Sequence, residues 1–259
     1  MPDITLLQGI ILAFFAFLAG LIDSIAGGGG LIQLPAVMSV LPNAPVVFLL
    51  GTNKLSSSFG TAIAVAQYSR KVKMDWKKIL PVAVAAFFAG IGGARIAVLI
   101  PNNWMRPIVI VLLVVVLIYT LFKKNLGIET REVTTSQNTQ MLLGILAGLV
   151  IGLYDGFFGP GTGNFLTLAF IAIYGMNFLT ASASIKPLNL ATNIGALILF
   201  GMAGTMYVQL GLIMAVFNML GSFVGVRLAI LKGSRFIRIL FMVVVFGLLI
   251  KQILDLLSI

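Results

Sequence analysis

From residue 6 to residue 254 the chain is a succession of apolar runs, most of them about the length of a membrane helix. They fall at 6–26, 31–50 (interrupted at Pro42 and Pro45), 52–68, 79–100, 106–122, 141–158, 163–182, 188–203, 208–231 and 236–254. Such runs leave few folds open. In lipid every backbone N–H and C=O needs an internal partner, so a spanning segment is a helix or part of a closed barrel. Barrel strands would show short segments of alternating polarity, and these runs do not alternate. Only 9% of residues are charged, against about 25% in a soluble domain. The expected fold class is an all-α integral membrane protein with about 8–10 hydrophobic segments.

Two places break the pattern. Gly27, Gly28, Gly29 and Gly30 interrupt the apolar sequence four residues after Asp23. Four helical glycines cost about 4 kcal/mol against alanine, enough to stop a helix. The device recurs as Asp155-Gly-Phe-Phe-Gly-Pro-Gly-Thr-Gly-Asn164, with Gly159, Gly161 and Gly163. A helix that stops inside a membrane presents free N–H groups and a positive dipole end to an anion. The alternative is tight helix packing, the usual role of small residues in membranes and the one assigned to Gly144 and Gly148.

Sliding the chain on itself by 132 residues superposes the two breaks without a gap. Asp23 falls on Asp155, Lys54 on Lys186, Arg95 on Arg227 and Arg106 on Arg238. Charged residues are too sparse here for that to be chance. The chain therefore divides into a first repeat, 1–125, a linker, 126–137, and a second repeat, 138–259, within one membrane domain. Loop charge is opposite in the two copies. Arg70, Lys71, Lys73, Lys77 and Lys78 crowd one loop, and its equivalent at 202–210 carries no positive charge. The loop 100–106 has only Arg106, whereas 231–238 has Lys232, Arg235 and Arg238. The positive-inside rule then gives inverted-topology repeats, a cytoplasmic linker and both termini outside. Whether residues 6–50 cross twice or form a re-entrant hairpin stays open.

The net charge of +10 arises in these loops, so it does not point to nucleic acid. There is no cysteine and no histidine, which removes thiolate and imidazole metal sites and the usual proton relay near neutral pH. No metal or other cofactor is expected. Met-Pro-Asp lacks the basic start of a cleaved signal, so the first run is expected to stay in the mature protein. No ATP-binding motif is present, and Lys54 beside Ser56–Ser58 is a weak hydrolase signal, so an enzyme is not expected.

Lys54 and Lys186 are the unusual charges. A lysine inside an apolar run costs about 2.5–3.5 kcal/mol on insertion scales and should face a polar interior. Asn53 and Ser57 accompany Lys54. Asn189 and Asn193 lie on one helical face, three and seven residues after Lys186. That stripe suits an oxyanion. Pairing of each lysine with Asp23 or Asp155, or snorkelling to an interface, stands beside this reading. Asp23 and Asp155 are candidates for proton coupling or for fixed counter-ions. Arg95 and Arg227 are candidates for charge at the repeat interface, and Trp76 and Tyr207 for interfacial anchors.

These motifs resemble the sulfite exporter TauE/SafE family, also called the TSUP permeases. The resemblance rests on Asp-x-x-x-Gly-Gly-Gly-Gly-Leu, Gly-Thr-Asn-Lys-Leu, Gly-Phe-Phe-Gly-Pro-Gly-Thr-Gly and Ala-Ser-x-Lys-Pro-x-Asn-x-x-x-Asn. It implies a multi-pass carrier of a bacterial or archaeal inner membrane. The implied substrates are small sulfur-containing or organic anions such as sulfite, sulfonates, sulfoacetate or thiosulfate. Gly159, Gly161, Gly163, Lys186, Asn189 and Asn193 occupy its motif positions. Ile185-Lys186-Pro187 stands where the first copy has Asn53-Lys54-Leu55, so the half-sites differ. The expected function is alternating-access secondary transport, with a proton as coupling ion. A passive anion channel and a non-transporting scaffold are the competing readings. Direction of transport and the choice between monomer and homodimer stay open.

Overall fold

The computed structural model of the chain describes residues 4–122 and 133–232. These residues form helices and connections, with no strand among them: α1 (Leu6–Ala26), α2 (Gly30–Val40), α3 (Val46–Lys71), α4 (Trp76–Leu99), α5 (Asn102–Phe122), α6 (Gln137–Phe157), α7 (Thr162–Tyr174), α8 (Phe178–Met202) and α9 (Val208–Lys232). Five of them, α1, α4, α6, α8 and α9, are long and apolar enough to cross a membrane. At 26 residues α3 also has the length, but Asn53, Lys54, four serines and a basic last turn make it more polar.

Helix boundaries repeat along the chain. Leu6 and Gln137, Gly30 and Thr162, Val46 and Phe178, and Trp76 and Val208 open equivalent helices. The packing repeats too: α1 lies on α9 as α6 lies on α4, and α3 lies on α9 as α8 lies on α4. Between the copies α3 and α8 meet directly and run antiparallel. Gly51 lies against Phe200 near the end of α8, while Lys54, one turn on, reaches back to Asn193.

Each glycine break is the tip of a helical hairpin. At 11 and 13 residues, α2 and α7 are roughly 16–20 Å long, well short of a bilayer core of about 30 Å. Gly29 packs against Ala19 and Asp23, so the chain has turned back along α1. In the second copy the Phe165 ring returns to within 5.6 Å of Tyr154. The turns need backbone conformations closed to most side chains: φ is 71° at Gly27, 126° at Gly28, 94° at Gly159 and 86° at Gly161.

The run 31–50 divides where Pro42 and Pro45 interrupt it, with α2 ending at Val40 and Pro45 capping α3. Two other boundaries are misplaced by the apolar runs. The run 163–182 is two elements, because Gly175 closes α7 in the left-handed region and Asn177 caps α8. Pro187 then lies inside α8 rather than before a run. Lys54 and Lys186 are in consequence each the ninth residue of a long helix, not its first turn. The polar linker is shorter than its composition suggests, since Ser136 caps α6 and Gln137 begins it. Residues 126–132, the run 236–254, Arg235 and Arg238 lie outside the described residues.

Helices of the two copies approach closely through glycine. A Cβ on Gly156 would fall 2.7 Å from Gly90 backbone atoms, and Gly93 lies on Leu153, Gly156 and Phe157. On the other side Gly20 meets Asn218, and Gly221 and Gly225 meet Phe17 and Leu21. Gly148 packs on Val82 and Gly144 on Tyr174, as small residues do in membrane bundles. Gly156→Val should lower stability by about 1–3 kcal/mol, read as a lower melting temperature in detergent. Gly9→Ala, in α1 where nothing lies within 4 Å, should not lower stability and should raise it by up to about 1 kcal/mol.

Candidate functional site

The two hairpin tips touch: Gly27 packs on Gly163, and Gly30 on Pro160. Around this junction the charged residues singled out by the repeat form two ion pairs. Lys54 Nζ lies 2.9 Å from Asp155 Oδ1, and Lys186 Nζ lies 3.1 Å from Asp23 Oδ2. Each pair joins a lysine on the long polar helix of one copy to an aspartate at the hairpin tip of the other. Helical periodicity accounts for the arrangement. The ninth residue of α3 and of α8 faces the facing copy, and each aspartate closes the last turns of α1 or α6 before its glycines.

The lysines are deeply buried, Lys54 at 3% exposure and Lys186 at 0%. A buried ammonium requires a partner charge and further hydrogen bonds. Lys54 also donates to Asn193 Oδ1 at 2.9 Å, and Lys186 to the main-chain carbonyl of Asp23. Asp155 accepts the Thr192 hydroxyl. Asp23 Oδ1 accepts two backbone N–H groups at the start of α2, from Gly28 at 3.1 Å and Gly29 at 3.3 Å. Those amides sit at the positive end of the α2 dipole, the place where a helix favours an anion.

The remaining candidates divide. Gly159 lies beside the Lys54 ammonium, and Gly161 packs against Val116. Ser57, half-buried, donates to the Lys54 carbonyl at 3.3 Å. Asn189 lies one turn beyond Lys186, with its amide next to Gly163. The side-chain oxygens of Asn53 and Asn189 are buried without a hydrogen-bond partner among the described residues. Arg95 and Arg227 do not join this cluster. Both are exposed, and Arg227 lies 4.0 Å over the Phe223 ring, so neither charge is enclosed between the copies. Trp76 is exposed, while Tyr207 packs on Phe48 with its N–H bonded to Thr52 Oγ1.

Sequence reasoning missed two contributors. Thr192, within the Asn189–Asn193 stripe, is the second partner of Asp155. Asn218 of α9 donates to Gln33 of α2 at 2.8 Å, deep in the bundle, and ties the short helix to the scaffold. A polar residue inside each apolar run, Gln33 in one and Asn218 in the other, was the available signal. It names no partner, because the two residues are 185 positions apart.

The fold and the paired charges define a multi-pass helical membrane protein with a polar centre built from both copies. The chain belongs to the Sulfite exporter TauE/SafE family, whose sequence model matches residues 12–251. It is 37% identical over 240 residues to the probable membrane transporter protein ORF9 of Sinorhizobium sp, covering 93% of this chain and 90% of that one. It is 36% identical over 242 residues to the probable membrane transporter protein YfcA of Escherichia coli K12, covering 92% and 87%. A probable membrane transporter protein of Haemophilus influenzae is 32% identical over 245 residues, covering 95% and 94%. No solved structure gives a significant match. The protein is thus a membrane transporter of the TauE/SafE type.

Breaking one buried pair leaves a bare charge, a loss of about 3–5 kcal/mol. Lys54→Met and Asp155→Ala should each lower the melting temperature sharply in detergent. The double variant should lose clearly less than the sum of the two. Strict additivity would show that the two residues are not coupled.

Proposed function

We propose that the protein is a secondary carrier of a small anion, of the sulfite, sulfonate, sulfoacetate or thiosulfate kind, in a bacterial inner membrane. The observation that carries this reading is the junction of the hairpin tips. There, two buried lysines, the opening N–H groups of a broken helix and the Asn189 amide beside Gly163 converge. Such a set recognises a compact oxyanion through charge and multiple donors, and it supplies no nucleophile–base arrangement for catalysis. Lys54, Lys186, Asn53, Ser57, Asn189, Asn193 and the tip glycines are the proposed contacts. Asp23 and Asp155 balance the charge.

Inverted-topology repeats and alternating access belong to the same proposal. Support comes from equivalent helices that recur at the 132-residue offset and from the antiparallel meeting of α3 and α8. Two equivalent helices that cross antiparallel are related by an axis perpendicular to them, as in an inverted repeat. A rocking movement of one copy against the other would open the shared centre to either side in turn. Coupling to a proton through an aspartate is part of this reading.

Uptake of sulfite, thiosulfate and methanesulfonate into proteoliposomes tests it. Saturable uptake with counterflow is expected, and conduction without exchange would indicate a channel. Lys186→Ala should cut transport by roughly tenfold or more. If Lys54→Ala and Lys186→Ala both transport normally, or if the flux is of cations, the proposed site is wrong.

A further inference from the structure

The two ion pairs sit at equivalent positions, but their surroundings differ, and two of the differing positions bear directly on the aspartates. Gly28 corresponds to Pro160, and Gly60 to Thr192. Pro160 has no N–H, so the second tip cannot give its aspartate the bond that Gly28 gives Asp23. Asp155 is held instead by a side chain, the Thr192 hydroxyl, for which the first copy has only Gly60. With Lys54 on its other oxygen and Asn193 sharing Lys54, Asp155 is in a closed network of side chains, 5% exposed.

Asp23 differs in each respect. Its side chain is 24% exposed. Apart from Lys186, its carboxylate accepts from the main-chain amides of Gly28 and Gly29. Those amides are held in place independently of it: Asn218 anchors α2 through Gln33, and Tyr68 anchors the end of α1 through the Ser24 carbonyl at 2.9 Å. The Asn189 amide, 6% exposed and with its oxygen unpartnered, lies at the same junction beside Gly163. An ammonium and two fixed N–H donors are what an oxyanion needs, and an internal carboxylate holds them.

We infer that the two pairs have divided their work: Lys54–Asp155 is a permanent clamp between the copies, and Asp23 is a resident anion that the transported anion displaces from Lys186 and the start of α2. This rests on the anion-carrier reading above. Charge balance then sets the coupling. With Asp23 ionised, the Lys186 pair is neutral. When a monovalent anion takes Lys186, the released carboxylate is left unpaired in a poorly hydrated place unless it gains a proton from water. The complex is again neutral, and one proton moves with each anion. The groups facing Asp23 are few. Lys186 faces it from α8 and Tyr68 from α3, where the phenol bonds the adjacent carbonyl. α1 and α2 hold no other ionisable side chain, α7 has only Tyr174 at its far end, and Arg227 of α9 is exposed.

The test uses the full chain in proteoliposomes with methanesulfonate and 2-hydroxyethanesulfonate, both monovalent anions whose charge does not change across the neutral range. Asp23→Asn should lose roughly tenfold or more of the accumulation driven by a proton gradient, lose less of its counterflow exchange, and regain melting temperature when methanesulfonate takes the vacated place on Lys186, whereas Asp155→Asn should gain nothing from the anion. Asp155→Asn should melt far lower and lose both modes together. Asp23→Ser is read in the same way. If Asp23→Asn keeps its gradient dependence, or neither Asp23 variant is stabilised by methanesulfonate, the division of work is wrong. The same holds if Asp155→Asn alone uncouples transport. If the unaltered protein moves neither probe, the carrier reading fails, and this inference with it.

Discussion

A lysine ammonium enclosed in an apolar helical bundle must be neutralised where it stands. Here two are enclosed, and each is neutralised by an aspartate from the other copy of the repeat. The rest of the architecture follows from that requirement. An aspartate at the end of a spanning helix reaches the centre only if the chain then turns, and the glycines provide the turn. The return helices stay short because their task is to bring amides and glycine backbone to the junction, not to cross. The close glycine contacts of α4 with α6 and of α1 with α9 bring the copies near enough for lysine and aspartate to meet.

Much of this was legible in the residues. The 132-residue offset picked out Asp23, Asp155, Lys54 and Lys186, because charges are rare enough in such a chain for coincidence to carry information. What the offset could not give was the pairing across copies. A repeat identifies equivalents, and equivalents are not partners: Lys54 meets Asp155, a residue aligned with Asp23. Boundaries failed for a different reason. Hydropathy reads Pro187 and Lys186 as the edge of a run, whereas α8 carries both in its interior. Pro187 is tolerated there because other helices surround it. Conversely, Gly175 sits in unbroken apolar sequence and ends α7 by its left-handed conformation, which hydropathy does not register.

Arg95 and Arg227 show the limit of reasoning from matched position. They align across the repeat as the lysines do and stand beside glycines as the aspartates do, yet both are exposed. Arginine near a helix end has a long stem that keeps its head out of the apolar region. The ninth residue of a helix whose neighbours on all sides are protein has no such exit. Depth along the helix separates the two cases, and depth depends on boundaries that hydropathy placed wrongly at α8.

The symmetry is a symmetry of backbone, and it stops at the side chains around the aspartates. A hairpin of one copy cannot leave the junction without pulling its aspartate from a lysine of the other, and a bare lysine in that setting is costly. If the copies move, one pair must therefore let go with a substitute at hand, or neither can. Asp155 has no replaceable partner, because its second bond is a threonine hydroxyl on the same helix as Asn193, which Lys54 also holds. The donors around Asp23 are main-chain amides fixed by α2 itself, and they serve any oxyanion of similar size. On the exchange proposed above, Pro160 in place of Gly28 and Thr192 in place of Gly60 are what make one junction fixed and the other exchangeable.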